Sequence, residues 1–163
     1  MRAFPEPPKL ILGERIEFRP RAEMGAPIID GKLLRFLVDI EIRKAQRLRY
    51  CVSLVRIAVE LATPETARPS EPPFAEMVSG NIRATDAVAR WSSTSLTLLL
   101  VDAEAKSLPL IVGRLTTDLG MVWSAGGSCY PSTAIGIEDL LRQAEEGLLD
   151  AQRAGGTRLF LPT

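Results

Sequence analysis

The feature that most constrains this chain is a pair of strand-like segments with almost nothing between them. Ala87–Trp91 and Leu96–Val101 are apolar and rich in β-formers, and only Ser92–Ser95 separates them. Four residues suffice for a hairpin but not for the crossover that parallel strands need. Around this hairpin the pattern alternates. From Gly31 to Arg49, Leu33, Leu34, Leu37, Ile40 and Leu48 recur at helical spacing, with charged residues mostly between them. Cys51–Leu61 is β-branched and apolar, as a buried strand is. Prolines at 64, 69, 72 and 73 make Thr63–Pro73 a loop. Phe74–Ala84 reads as a short helix, and Ala103–Leu119 as another that must start near Pro109. Val122–Cys129 is a strand. The apolar residues Ile137, Leu140, Leu141, Ala144, Leu148 and Ala151 then mark a helix stopped by Gly155, and Thr157–Leu161 closes as a strand. One hairpin inside an otherwise alternating chain predicts an α/β fold with a mixed central sheet flanked by helices.

At 163 residues the chain fits one domain. Residues 1–30 form a Pro/Gly-rich arm, within which Leu10–Phe18 is a candidate strand or hairpin, and 31–163 form the folded unit. The 20 basic residues cancel the 20 acidic ones, so no bulk field recruits nucleic acid or an anionic membrane. No apolar run is long enough to cross a bilayer, and the proline-rich start does not read as a signal peptide, so a cytoplasmic location is expected. Cys51 and Cys129 sit in apolar stretches and read as reduced core residues. The absence of histidine excludes a zinc site or a Ser-His-Asp triad, leaving carboxylates as the only route to catalysis.

Three stretches, in order and near the right spacing, resemble the GGDEF (diguanylate cyclase-like) family. Ile82–Leu100 is similar to its Arg-x-x-Asp, strand, GGDEF hairpin and second strand. Trp123–Ser132 (WSAGGSCYPS) resembles the strand ending in Tyr-Pro, and Asp139–Arg158 resembles the last helix with its Ala-Gly-x-x-Arg exit. The resemblance implies a nucleotidyl cyclase-like fold with a five-stranded mixed sheet.

The same resemblance exposes what is missing. Joining two GTP molecules into cyclic di-GMP requires divalent metal held by hard carboxylate oxygens. The family takes one carboxylate from the first strand and one from the third hairpin position, which here are Ala58 and Thr94. The two glycines that admit the phosphates are Ser92 and Ser93, Ser95 follows Thr94, and the phosphate-binding lysine of the last helix falls on Gln152. The guanine-reading Asn and Asp have no counterpart in Thr63–Pro73. Glu60 stays near the metal position without a partner. Neither catalytic residues, a metal nor a cofactor are expected.

A second family feature survives. Many of these cyclases carry an inhibitory product site, an Arg-x-x-Asp ending five residues before the hairpin motif. Arg83 to Asp86 keeps that spacing, and Arg83 is the only arginine with an aspartate three residues on. The family completes the site with an arginine of the next helix, which counting places at Arg114. Arginine donates in bidentate fashion to guanine or phosphate, and aspartate accepts from guanine N–H groups. Bound at Arg83, Asp86 and Arg114, cyclic di-GMP as a stacked dimer would bridge two protein surfaces. The expectation is a catalytically inactive receptor for cyclic di-GMP. The alternative is a ligand-independent module for homodimerisation or for docking a signalling partner. Trp91, the aromatic before the hairpin, is expected to pack in the core, and Arg90 to be solvated.

Overall fold

The computed structural model describes residues 25–60, 74–117 and 119–163. Both the candidate strand at Leu10–Phe18 and the loop Thr63–Pro73 lie outside them. In chain order the elements are β1 (Ile28–Ile29), α1 (Gly31–Leu48), β2 (Val52–Val59), α2 (Phe74–Gly80), β3 (Ala87–Arg90), β4 (Ser95–Val101), a 3-10 turn (Ala105–Ser107), α3 (Leu108–Thr116), β5 (Trp123–Tyr130), α4 (Ile137–Arg153) and β6 (Arg158–Phe160). The strands form one mixed sheet in the order β1-β3-β4-β2-β5-β6. β3–β4, β4–β2 and β2–β5 are antiparallel, and the two edge pairs are parallel.

The sheet therefore has a sixth strand beyond the five expected. Ile28 and Ile29 pair with Val88 and Ala89, and the Ala26 amide donates to the Ser79 carbonyl at 2.9 Å. The last residues of the arm thus belong to the folded unit. Two apolar residues among prolines and glycines give no periodicity, so the strand depends on an open β3 edge rather than on its own composition.

Both faces of the sheet are covered. Leu54 packs with Leu34, Val38, Ile42 and Ala45 of α1 and with Leu140 and Ala144 of α4. On the other face Val55, Ile57, Leu96, Leu98 and Leu100 pack with Val78 of α2 and Leu108, Val112 and Leu115 of α3. Each fully buried Leu or Ile contributes about 1.5–3 kcal/mol. Asp30 caps α1 by accepting from the Leu33 amide at 2.8 Å, and Arg49 ends it in the left-handed region. The buried stripe of α1 is shifted from the one suggested by its leucines: Leu33 and Leu48 are exposed, and the smaller Val38 and Ala45 face the sheet. Ala45 fits where a larger side chain would hold helix and sheet apart.

Candidate functional site

Two places that the sequence singles out lie at opposite ends of the β3–β4 hairpin. Its seven-residue second strand separates them by about 20 Å.

At the tip, the strands bring the two metal-carboxylate positions together. Ala58 pairs with Ser95, and the Val59 amide donates to the Thr94 carbonyl at 2.8 Å. Ser124 is the partner of Ala58 on the other side. Gln152 is exposed on the last turn of α4, and the chain following that turn folds back so that the Thr157 amide reaches the Trp123 carbonyl. The backbone around Ala58 and Thr94 is thus tied together, with alanine and hydroxyls at the positions where the family resemblance implies carboxylates. The tip closes on itself: the Ser92 hydroxyl lies 3.2 Å from that of Thr94 and 3.0 Å from that of Ser95, and the Ser92 and Trp91 amides both donate to the Ser95 carbonyl. Glu60 is exposed, its amide tied to the Val122 carbonyl. Among the described residues no three Asp, Glu or Cys side chains cluster as a metal site requires.

Below the tip the sequence reading misses a feature. Arg56 stands two residues before Ala58, so the two share a face of β2. Its guanidinium lies 4.6 Å from the Trp91 ring centroid and 3.1 Å from Glu145. Trp91 is 54% exposed rather than core, and its indole N–H donates to the Thr97 hydroxyl at 2.7 Å. The guanidinium is held between an aromatic ring and a carboxylate, on the same face of β2 as Ala58. An arginine in the middle of a strand otherwise read as apolar was the available signal. Arg90 is exposed and pairs with Glu76 at 3.3 Å.

At the other end, Arg83, Asp86 and Arg114 all line one concavity of about 320 Å³, together with Ile82, Leu100 and Ile111. The Arg-x-x-Asp segment is a turn and not a helix end. α2 stops at Gly80, the Asn81 side chain caps the Met77 carbonyl, and the Asp86 amide donates back to the Arg83 carbonyl at 2.9 Å. The turn folds Arg83 over Asp86. The Asp86 side chain is 3% exposed: Oδ1 accepts from the Val101 amide at 2.9 Å, and Oδ2 from the Arg83 amide at 3.2 Å and Nε at 3.3 Å. Arg83 Nη2 also reaches Asp86 Oδ1 and the Val101 carbonyl. Of the five guanidinium hydrogens, those on Nη1 are left for a ligand. Arg114 is exposed on α3, and among the described residues it makes no hydrogen bond or ion pair.

Sequence reasoning misses Asp102, which lines the same concavity. Its signal lies in the hairpin register. Ala87 pairs with Leu99 and Arg90 with Leu96. Extending that ladder by three puts residue 102 opposite residue 84, inside the Arg83–Asp86 turn.

This six-stranded sheet with its central hairpin is the fold of the GGDEF domains. It is similar to the GGDEF domain of YfiN (TpbB) from Pseudomonas aeruginosa, with a TM-score of 0.71 at 16% identity over 87% of this chain and 98% of that one. The active GGEEF domain of a diguanylate cyclase from Vibrio cholerae gives 0.68 at 15% identity, over 81% and 96%. The GGDEF domain of DgcB from Caulobacter crescentus, solved in complex with c-di-GMP, also gives 0.68, at 10% identity over 82% and 91%. No protein-family model matches the sequence, and no curated protein does either. Among the described residues no helix is long and apolar enough to cross a membrane.

Proposed function

We propose that this chain is a GGDEF-fold receptor that binds cyclic di-GMP in the Arg83–Asp86–Arg114 concavity and does not synthesise it. The observation that carries the reading is convergence: a turn before β3 and a helix after β4 deliver both arginines and the aspartate to one pocket. The complex of the Caulobacter crescentus domain with c-di-GMP supports the ligand class. Arg114, exposed on α3, presents a planar guanidinium suited to a phosphodiester, and Arg83, held by Asp86, offers its Nη1 hydrogens. At the other end, alanine at 58 and threonine at 94 leave metal-dependent cyclisation without the two carboxylates that the family resemblance implies there.

The test is equilibrium binding of cyclic di-GMP to the wild type and to Arg83→Ala and Arg114→Ala. Each variant is expected to lose at least about tenfold in affinity, about 1.4 kcal/mol. Unchanged affinity in both would move the ligand elsewhere or remove it.

One observation favours the second reading, a ligand-independent interaction module. Asp86 is fully used inside the fold, so the Arg83–Asp86 pair has a structural reason to exist. On that reading cyclic di-GMP does not bind, and self-association measured by size-exclusion chromatography is the same with and without it.

A further inference from the structure

On the face of the sheet covered by α1 and α4, one polar pair interrupts the core. Leu54, Arg56 and Ala58 share a side of β2, and Arg56 stands directly across from Thr97 of β4. Between this pair and the two helices lies a concavity of about 340 Å³, walled with apolar surface by Leu54, Leu141, Ala144 and Trp91. That volume is at the low end for ligand pockets, about 300–1,000 Å³, and so limits an occupant to a small molecule. The concavity shares no residue with the one that holds Arg83 and Arg114.

Its floor has more hydrogen-bond donors than acceptors. The Trp91 indole N–H donates to the Thr97 hydroxyl at 2.7 Å, which leaves that buried hydroxyl a hydrogen of its own with no acceptor among the described residues. The Arg56 side chain is 20% exposed, and its Nε is buried with no hydrogen-bond partner among the described residues. The ion pair it makes with Glu145 is a loose one to a largely solvated carboxylate, whose side chain is 58% exposed. The other cations of the pocket are already matched, Arg35 by Glu138 and Arg142 by Asp139 and Glu146. A guanidinium withdrawn from water with so few hydrogen bonds is costly, and an acceptor brought into the pocket offsets that cost.

We propose that this concavity binds a small organic monocarboxylate with a flat apolar body. The ligand's carboxylate replaces Glu145 on Arg56 and makes its charge-assisted bond inside the pocket rather than at its edge. The apolar body lies along Leu54, Leu141 and the exposed part of the Trp91 ring. One poorly matched cation suits a single negative charge better than the charge of about −2 on a phosphate monoester. The site is independent of the cyclic di-GMP reading, and either can fail without the other.

The experiment follows the indole N–H resonance of Trp91 by NMR while the full chain is titrated with benzoate, with its neutral counterpart benzamide, and with inorganic phosphate. The two tryptophans give two such resonances, and Trp91→Phe assigns them. Benzoate is expected to shift the Trp91 resonance saturably, with a dissociation constant in the millimolar range or tighter, and to bind at least about tenfold more tightly than benzamide. Arg56→Met keeps an unbranched stem in the pocket, so its thermal midpoint should hold while the preference for benzoate disappears. A Trp91 resonance that benzoate leaves unmoved overturns the proposal, as does equal binding of benzoate and benzamide. Retention of the preference in Arg56→Met also overturns it, and phosphate binding at the same resonance as tightly as benzoate would make this a phosphate site instead. The comparison of benzoate with benzamide needs the wild type alone, so it decides the matter whatever the fate of the variant.

Discussion

Asp86 shows how a residue chosen for ligand chemistry is also chosen by the fold. Replacing it with alanine strands the Val101 and Arg83 amides and frees the Arg83 guanidinium. Leaving such part-buried donors unpaired costs up to about 1–3 kcal/mol. Asp86→Ala should therefore lower the urea midpoint by a corresponding amount, and an unchanged midpoint would mean that water replaces the carboxylate at no cost. Tyr50 provides a pH test at the same scale. Its half-buried phenol donates to Glu41 Oε2 at 2.6 Å, and desolvation first, then that hydrogen bond, raises its pKa from 10.0 to about 12. The folded state thus holds the phenolic proton more tightly than the unfolded chain. The stability this contributes is complete below pH 10 and is lost as pH rises from about 10 to about 12. Denaturation midpoints across that range should fall more steeply for the wild type than for Tyr50→Phe. Parallel curves would contradict the assignment.

Among the elements, the crossing of α4 over β5 is the tightest. A Cβ on Gly126 would run into the Ala144 carbonyl oxygen and the Leu148 nitrogen, and one on Gly147 would lie 2.8 Å from the Phe160 carbonyl oxygen and 2.9 Å from the Gly126 Cα. Backbone meets backbone there, so neither side can yield as a flexible side chain would. Gly126→Ala should destabilise by about 3 kcal/mol or more, the upper range for overpacking, read from chemical denaturation; a loss under about 1 kcal/mol would show that the helix can lift. The long elements were legible because their periodicity is strong: α1, α4, β2 and the β3–β4 hairpin fall within a residue or two of where the sequence puts them. What was not legible depends on partners distant in sequence. β1 forms because the edge of β3 is open. The start of α3 at Leu108 was legible, since Pro109 belongs in a first turn, whereas α2 ends earlier than its pattern suggests, at Gly80, with the Asn81 side chain on the Met77 carbonyl. The same holds at the site. Arg83, Asp86 and Arg114 could be placed by counting, since their spacing is local to the hairpin. The burial of Asp86, the stacking of Arg56 on exposed Trp91, and the place of Asp102 in the pocket emerge only when strands and turn are assembled.

At the scale of the whole molecule, the sheet separates two sites that the fold keeps and the sequence treats differently. One end carries the hairpin tip, with alanine, serine and threonine at the positions where the family resemblance implies carboxylates and glycines. The other carries a concavity lined by Arg83, Asp86, Asp102 and Arg114, with Asp86 held inside the fold. Under the proposed receptor function, filling that concavity would change how the molecule associates. The most direct measurement is isothermal titration of the wild-type protein with cyclic di-GMP and, separately, with GTP and magnesium, the GTP mixture then being assayed for cyclic dinucleotide. Saturable heat in the micromolar range or tighter with cyclic di-GMP, no heat with GTP and no product formed is the result this account predicts. Product formation from GTP, or the absence of any heat with cyclic di-GMP, would contradict it.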